Sequence, residues 1–182
     1  MAIASTMLEL GTQAPEFALP DAVHGGVISS NDLIGRPMLV MFLCNHCPYV
    51  KHVEQQLGQL ARDYSGSPLA VVAICSNDVE VQPADGPDGL RDQAQRAGFI
   101  FPYLVDEAQD IAHAFTAACT PDLFLYDPAH ALAYRGQLDD SRPGSATPVT
   151  GADIRAAIDA VLAGEPAPGE QRPSLGCGIK WK

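Results

Sequence analysis

The 182-residue sequence predicts an α/β domain: a central mixed β-sheet flanked by helices, with an N-terminal hairpin and a C-terminal tail. Three observations carry this expectation. Pro37 to Leu43 (PMLVMFL) and Leu69 to Cys75 are continuous apolar runs, the pattern of strands buried on both faces of a sheet. Between them, Val50, Val53, Leu57, Leu60 and Tyr64 recur at spacings of three and four, which marks one face of an amphipathic helix. Later, Asp122 to Tyr126 and Leu132 to Arg135 are short runs joined by Asp127, Pro128, Ala129 and His130, the signature of an antiparallel hairpin.

Taken in order, residues 1 to 36 read as irregular, with turn signals at His24, Gly25, Gly26 and Gly35. Phe17 to Leu19 and Val27 to Ser29 flank the first turn as strands of the hairpin. The first buried strand then runs into CNHCP, residues 44–48, and the helix after it ends near Ser65 and Gly66. After the second buried strand comes SNDVEVQPADGPDG, in which Pro83, Gly86, Pro87 and Gly89 are expected to prevent regular structure. Connections this long often line active sites. A helix from about Asp88 to Ala97, a third strand from Phe101 to Val105 and a helix over roughly Gln109 to Phe115 lead to the late hairpin. A Ser-, Pro- and Gly-rich loop precedes the last helix, about Gly151 to Ala163, with Ile154, Ala157, Ile158 and Val161 on one face. The remaining GEPAPGEQRPSLGCGIKWK is Pro- and Gly-rich, so residues 1–164 read as one domain and 165–182 as an extended tail.

Composition bounds the setting. Hydrophobic residues at 47% and charged residues at 18% describe a folded globular chain. No apolar run approaches the roughly 18 residues of a membrane span, and MAIASTMLELGTQAPEF lacks the basic start and apolar core of a signal peptide, so the expected location is cytoplasmic. Eleven Lys and Arg against 22 Asp and Glu leave a net charge of −11, which repels phosphate backbones and anionic lipid; neither nucleic acid nor membrane is an expected partner. In a reducing compartment a close pair among the five cysteines reads as catalytic or metal-binding before it reads as a structural staple.

That pair is Cys44 and Cys47, which bracket Asn45 and His46 where a buried strand meets a helix. Thiolates are the nucleophiles of disulfide chemistry, and the exposed N–H groups and positive dipole end of a helix lower a cysteine pKa from about 8.5 towards roughly 3.5–7.5. Pro48 fits the first helical turn, where its missing N–H would be unpaired anyway. The full order of strand, CxxC, helix, strand, helix, strand, helix, hairpin and helix is the thioredoxin arrangement with added N-terminal and loop segments. In that fold a cis proline begins the strand of the late hairpin beside the cysteine pair, and Thr120–Pro121 stands at that point. The expected catalytic set is Cys44, Cys47, His46, Thr120 and Pro121.

CNHCPYVKH, SND, FPYLVDE, CTPDLFLYD, YRGQLDDSRP, PVTG and GCGIKWK together resemble the thioredoxin-like redoxins of the alkyl hydroperoxide reductase and thiol-specific antioxidant group, which are peroxiredoxin-like; the resemblance runs from about Gly11 to Lys182. It implies a thiol-based antioxidant or disulfide-exchange enzyme. Peroxiredoxins carry a threonine three positions before the peroxidatic cysteine and a proline four residues earlier still. Placed on this chain, Cys47 takes the peroxidatic position, Cys44 replaces the threonine and Val40 replaces the proline. A dithiol there is the thioredoxin solution, in which Cys44 attacks a substrate disulfide and Cys47 resolves the mixed disulfide. The reading is therefore a thiol–disulfide oxidoreductase, with thiol peroxidase through Cys47 as the runner-up.

A histidine just before the second cysteine resembles the strongly oxidising disulfide oxidoreductases, and a cationic imidazole near the sulfurs favours the thiolate. The expected potential accordingly lies above that of thioredoxin, about −270 mV. Cys75 ends a buried strand and reads as a core residue. Cys119, two before Pro121, and Cys177, between glycines in the tail, are candidates for a third redox thiol; Cys177 would swing in to resolve an oxidised Cys44 or Cys47, unless Trp181 anchors the tail. A reading from another class is a copper carrier binding through the CxxC with His46, His52 or a remote histidine. Copper chaperones of this fold usually have three residues between the cysteines, and here there are two, with His113 and His130 on a helix and a hairpin turn. No histidine comes directly after Cys47, which excludes covalent haem attachment, and no cofactor or resident metal is expected. Asp139, Asp140 and Arg142 are candidates for a substrate rim beside the solvated-cluster reading, and Lys51 and His52 for exposed helix positions. The substrate class is a protein disulfide or a small thiol or peroxide; the reductant is not legible.

Overall fold

The computed structural model describes residues 2–182. Its first strand is β1 (Ala2–Ala4), succeeded by the expected hairpin of β2 (Ala18–Pro20) and β3 (Val27–Ser29) and a short 3-10 turn at Ser30–Leu33. The PMLVMFL run becomes β4 (Met38–Phe42), every residue of which is buried. Side chains alternate across a strand, so Met38, Val40 and Phe42 enter one core while Leu39 and Met41 enter another on the opposite face. The helix after CNHCP is α1 (Pro48–Asp63), with Cys47 at its N-cap and Pro48 opening its first turn. Next come β5 (Ala70–Cys75), α2 (Pro87–Ala97), β6 (Tyr103–Val105) and α3 (Asp110–Ala114). The chain closes with β7 (Cys119–Thr120), β8 (Asp122–Tyr126), β9 (Leu132–Gly136), α4 (Ala152–Leu162) and β10 (Leu175–Gly178).

The main sheet has the order β6-β5-β4-β8-β9. β4, β5 and β6 run parallel, and β8 and β9 add antiparallel neighbours, so the sheet is mixed, as expected. Parallel register places the C-terminal ends of β4 and β5 together, Phe42 against Ile74. The CNHCP turn and the loop after Cys75 therefore leave the sheet side by side. On one face lie the apolar stripes of α1, α2 and α4, including Val53, Leu57, Leu90, Ala94, Ile154 and Ile158. On the other, α3 and the N-terminal segment cover Phe42, Phe115 and Phe124, whose rings meet edge to face with centroids 5.4–5.7 Å apart. The architecture is the thioredoxin-like fold.

Three strands lie outside the sequence expectations. β1, β10 and β7 form a second, antiparallel sheet with β10 in the middle. The tail thus ends in a strand paired on both sides. LGCG has little intrinsic strand preference, and what makes it a strand is two partners already waiting for its backbone. The long loop after β5 also departs from expectation. Its prolines do not exclude regular structure: Pro83 opens a 3-10 turn, Pro83–Asp85, and Pro87 opens α2. No helix among the described residues is long and apolar enough to cross a membrane.

Candidate active site

Leu43 is the last residue tied to the sheet, its N–H donating to Ile74 O at 3.0 Å. Cys44 comes next at the mouth of β4, and three residues later the Cys47 carbonyl accepts the helical bond of Lys51 N–H at 3.0 Å. Both cysteines are free thiols and both are 0% exposed. Facing them is Thr120, joined to Pro121 by a cis peptide bond. Thr120 Oγ1 lies 3.1 Å from Cys44 Sγ, and the Thr120 carbonyl oxygen 3.3 Å from Cys47 Sγ. Four of the five expected site residues, Cys44, Cys47, Thr120 and Pro121, thus meet as the sequence predicts.

The charge of the reduced pair sits on Cys47. The hydrogen bond from Cys44 lowers the Cys47 pKa to about 4 against the opposing effect of burial, helped by the Cys177 thiol and by the backbone N–H groups of Val50 and Cys177. The nearby Thr120 carbonyl favours the protonated form, but the donors outnumber it. Cys44 is pushed up, first by donating to Cys47, then by burial and by the negative charge of Asp85. The expectation that Cys44 attacks first therefore meets a structure in which Cys47 holds the thiolate and Cys44 the proton.

Asp85 is the site residue that sequence reasoning missed. It is 1% exposed, and its carboxylate gathers the turn around itself. Oδ1 accepts from Asn45 N–H at 2.8 Å and His46 N–H at 2.9 Å, while Oδ2 lies 2.6 Å from His46 Nδ1 and accepts from Asn77 Nδ2 at 2.8 Å. The imidazole of His46 is consequently aimed at a carboxylate, and any positive charge it carries is matched by Asp85. The usable signal was position: adjacent parallel strands deliver the loops at their C-terminal ends to one edge of the sheet, and Asp85 lies in the loop after β5. Around it, Asn45 Nδ2 donates to Ala84 O at 2.9 Å, Arg96 donates to Asn45 Oδ1 at 2.9 Å, and Gln93 Nε2 donates to Cys44 O at 3.2 Å.

The remaining candidates separate cleanly. Cys119 is buried, its Sγ 3.6 Å from Pro121 O, and burial with the charge of Asp122 raises its pKa well above the ordinary thiol range. Cys75 is pushed up to about 12 by burial and packs as a core thiol. Cys177 does meet the pair, and it does so from a docked strand and not from a swinging tail; burial and its hydrogen bond to Cys47 push it up to about 11. Asp139 is buried and accepts from the N–H groups of Ser141, Thr150 and Gly151 at 2.6–2.9 Å, and with Arg142 it lines a small pocket shared with Tyr49 and Pro121. Asp140 is exposed and pairs with Arg172, while Arg142 is spent on the Asp139 and Ser141 carbonyls. Lys51 is exposed as expected, but half-buried His52 bonds Ser141 Oγ at 2.8 Å. Of the histidines considered as copper ligands, His113 stacks on Trp181 and His130 lies 3.2 Å from Leu33 O, both away from the sulfurs. Cys44, His46 and Asp85 do bring a thiol, an imidazole and a carboxylate within 4.8 Å of one another.

The AhpC/TSA family model matches residues 10–135. Among solved structures, an uncharacterized conserved protein from Geobacillus kaustophilus is 50% identical over 100% of this chain and 97% of that one, with a TM-score of 0.97. A hypothetical protein from Sinorhizobium meliloti 1021 is 46% identical over 98% of both chains, with a TM-score of 0.95. A putative thiol:disulfide interchange protein DsbE from Chlorobium tepidum shares the fold at 20% identity, with a TM-score of 0.68 over 86% of this chain and 99% of that one. No curated protein matches the sequence.

Proposed function

Because the chain belongs to the AhpC/TSA family, as a thioredoxin-like redoxin, we propose that it is a thiol–disulfide oxidoreductase working through the Cys44–Cys47 dithiol. The observation that carries this reading is the hydrogen-bonded pair of free thiols at the start of α1, closed on one side by Thr120–Pro121. A single thiolate with a protonated neighbour is the reduced half of an exchange couple. Cys47 attacks one sulfur of a mixed or substrate disulfide; that S–S bond breaks and the displaced sulfur leaves as a thiolate. Cys44 then surrenders its proton to the departing thiolate and attacks Cys47 Sγ, breaking the mixed disulfide and expelling the second substrate sulfur as a thiolate, so that two electrons have passed to the substrate and Cys44–Cys47 is the product. The substrate class is a protein disulfide or a small-molecule disulfide, and the proposed setting is the cytoplasm.

The charge on Cys47 also supports a second reading, reduction of a peroxide with Cys47 as peroxidatic cysteine. Against it stands Cys44, occupying the position where peroxiredoxins carry threonine. Insulin disulfide reduction and hydrogen peroxide turnover, each measured on wild type, Cys44→Ser and Cys47→Ser, separate the two. Exchange predicts insulin reduction lost in Cys47→Ser and impaired in Cys44→Ser, with negligible peroxide turnover in either. Peroxide turnover that survives Cys44→Ser and disappears in Cys47→Ser selects the peroxidase reading instead. Metal analysis of protein purified under reducing conditions tests carriage by Cys44, His46 and Asp85; stoichiometric copper there would replace both.

A further inference from the structure

A dithiol that exchanges with external disulfides must be reachable, and the route proposed here rests on that reading of the site. Cys44 and Cys47 are both 0% exposed, whereas Cys177 keeps part of its surface in solvent. β10 sets Cys177 opposite Thr120 on one side and Ala2 on the other. Its side chain packs against the buried cluster that holds Cys44 and Cys47, close enough to bear on the Cys47 thiolate. Two further observations indicate that this placement is built. A Cβ on Gly176 would lie 2.1 Å from Thr120 O and 2.6 Å from Thr120 C, so only glycine before Cys177 lets β10 close onto the Thr120–Pro121 segment. Beyond β10, Lys180 N–H donates to Asn77 Oδ1 at 2.8 Å, and its carbonyl accepts from Asp78 N–H and Gln109 Nε2, each at 2.8 Å. Asn77 in turn donates to Asp85, so the tail is fastened to the carboxylate that organises the CNHCP turn.

We propose that Cys177 is a third redox thiol and the first sulfur an external disulfide meets, passing oxidation inward to Cys47 and then to Cys44. Cys177 attacks the external disulfide as its proton passes to Cys47, so that no free Cys177 thiolate forms beforehand, and the external S–S bond breaks to release one thiolate. Cys47 hands that proton to the released thiolate and attacks Cys177 Sγ, forming Cys47–Cys177 and freeing the second external sulfur. Cys44 protonates that sulfur and attacks Cys47 Sγ, forming Cys44–Cys47 and returning Cys177 as a thiolate. One external disulfide becomes two thiols, two cysteine thiols become one disulfide, and the single negative charge passes to each leaving thiolate, returns to the protein with the proton transfer, and ends on Cys177. No other oxidant is consumed.

The test pulses reduced full-length protein with glutathione disulfide, quenches with acid at increasing times and maps the modified cysteines by mass spectrometry. The relay predicts glutathione on Cys177 first, then Cys47–Cys177, then Cys44–Cys47. In Cys44→Ser the sequence should stop at Cys47–Cys177, and in Cys177→Ser and Cys177→Ala formation of Cys44–Cys47 should slow at least tenfold while reaching the same end point. First appearance of glutathione on Cys44 or Cys47, or wild-type rates in both Cys177 variants, overturns the relay and leaves the exchange reading standing. If Cys44–Cys47 never forms in the wild type, even at long times, the exchange reading itself fails and the relay with it.

Discussion

Cys47 is held as a thiolate by donors from three parts of the chain: Cys44 one turn earlier, Val50 in the first turn of α1, and Cys177 from the far end of the sequence. Depression from the ordinary 9.0 to about 4 predicts that thiolate absorbance in the ultraviolet is already present at neutral pH and falls away as pH drops towards about 4. A group with a depressed folded-state pKa adds stability above its unfolded value and loses it as pH falls through its folded value. The stability difference between wild type and Cys47→Ser should therefore shrink as pH falls from about 9 to about 4, and thiolate absorbance that appears only near pH 9 would contradict the assignment. Asp85 bears on the same equilibrium, because its negative charge opposes thiolate formation at Cys44. Asp85→Asn relieves that opposition on a thiol that stays protonated at neutral pH, so the potential should move by less than about 30 mV, the size of a tenfold change in the exchange constant; equilibration against glutathione reads the shift, and a larger rise would contradict Cys44 as the protonated partner. The two thiols and Thr120–Pro121 were legible because their chemistry is written in contiguous letters. Asp85 was not, since its contact with Asn45 and His46 exists only after β4 and β5 pair.

Among the elements, β8 and β9 are joined by a buried ion pair as well as by their ladder. Arg135 and Asp122 are both 0% exposed; Arg135 Nη1 faces Asp122 Oδ1 at 2.9 Å without hydrogen-bond alignment, and Nη2 donates to Oδ2 at 3.2 Å. The guanidinium also stacks 3.6 Å above the Phe124 ring and donates from Nε to Thr6 O at 2.8 Å, pinning the N-terminal segment to the sheet. Removing one partner strands a buried charge, so Asp122→Ala should cost about 3–5 kcal/mol in denaturant unfolding, and a loss below about 1 kcal/mol would show the pair to be slack. The regular elements were readable because apolar runs and 3.6-residue periodicity report burial directly. Strands β7 and β10 carry no such signal: Cys119–Thr120 is too short to show alternation, and Leu175–Gly178 is half glycine.

At the scale of the whole molecule, the two ends of the chain meet over the active site. Ala2–Ala4 and Leu175–Gly178 pair across nearly the full sequence, and Leu175–Gly178 in turn pairs with Cys119–Thr120, whose Thr120 faces the cysteine pair that β4 presents. This closure was beyond reach of the sequence, since contact between segments so far apart leaves no local pattern, and it changes the expected chemistry from an open CxxC to a sheltered one. Cys44 and Cys47 are proposed to interconvert as a two-electron dithiol–disulfide couple. This interconversion is tested most directly by equilibrating the intact protein across glutathione redox buffers and mapping every cysteine. A single transition is expected, in which Cys44 and Cys47 are lost together as free thiols and recovered as one linked peptide pair, with a midpoint above about −270 mV. Both cysteines remaining free in the most oxidising buffer, or Cys47 accumulating as an oxygenated sulfur under peroxide while Cys44 stays free, would contradict it.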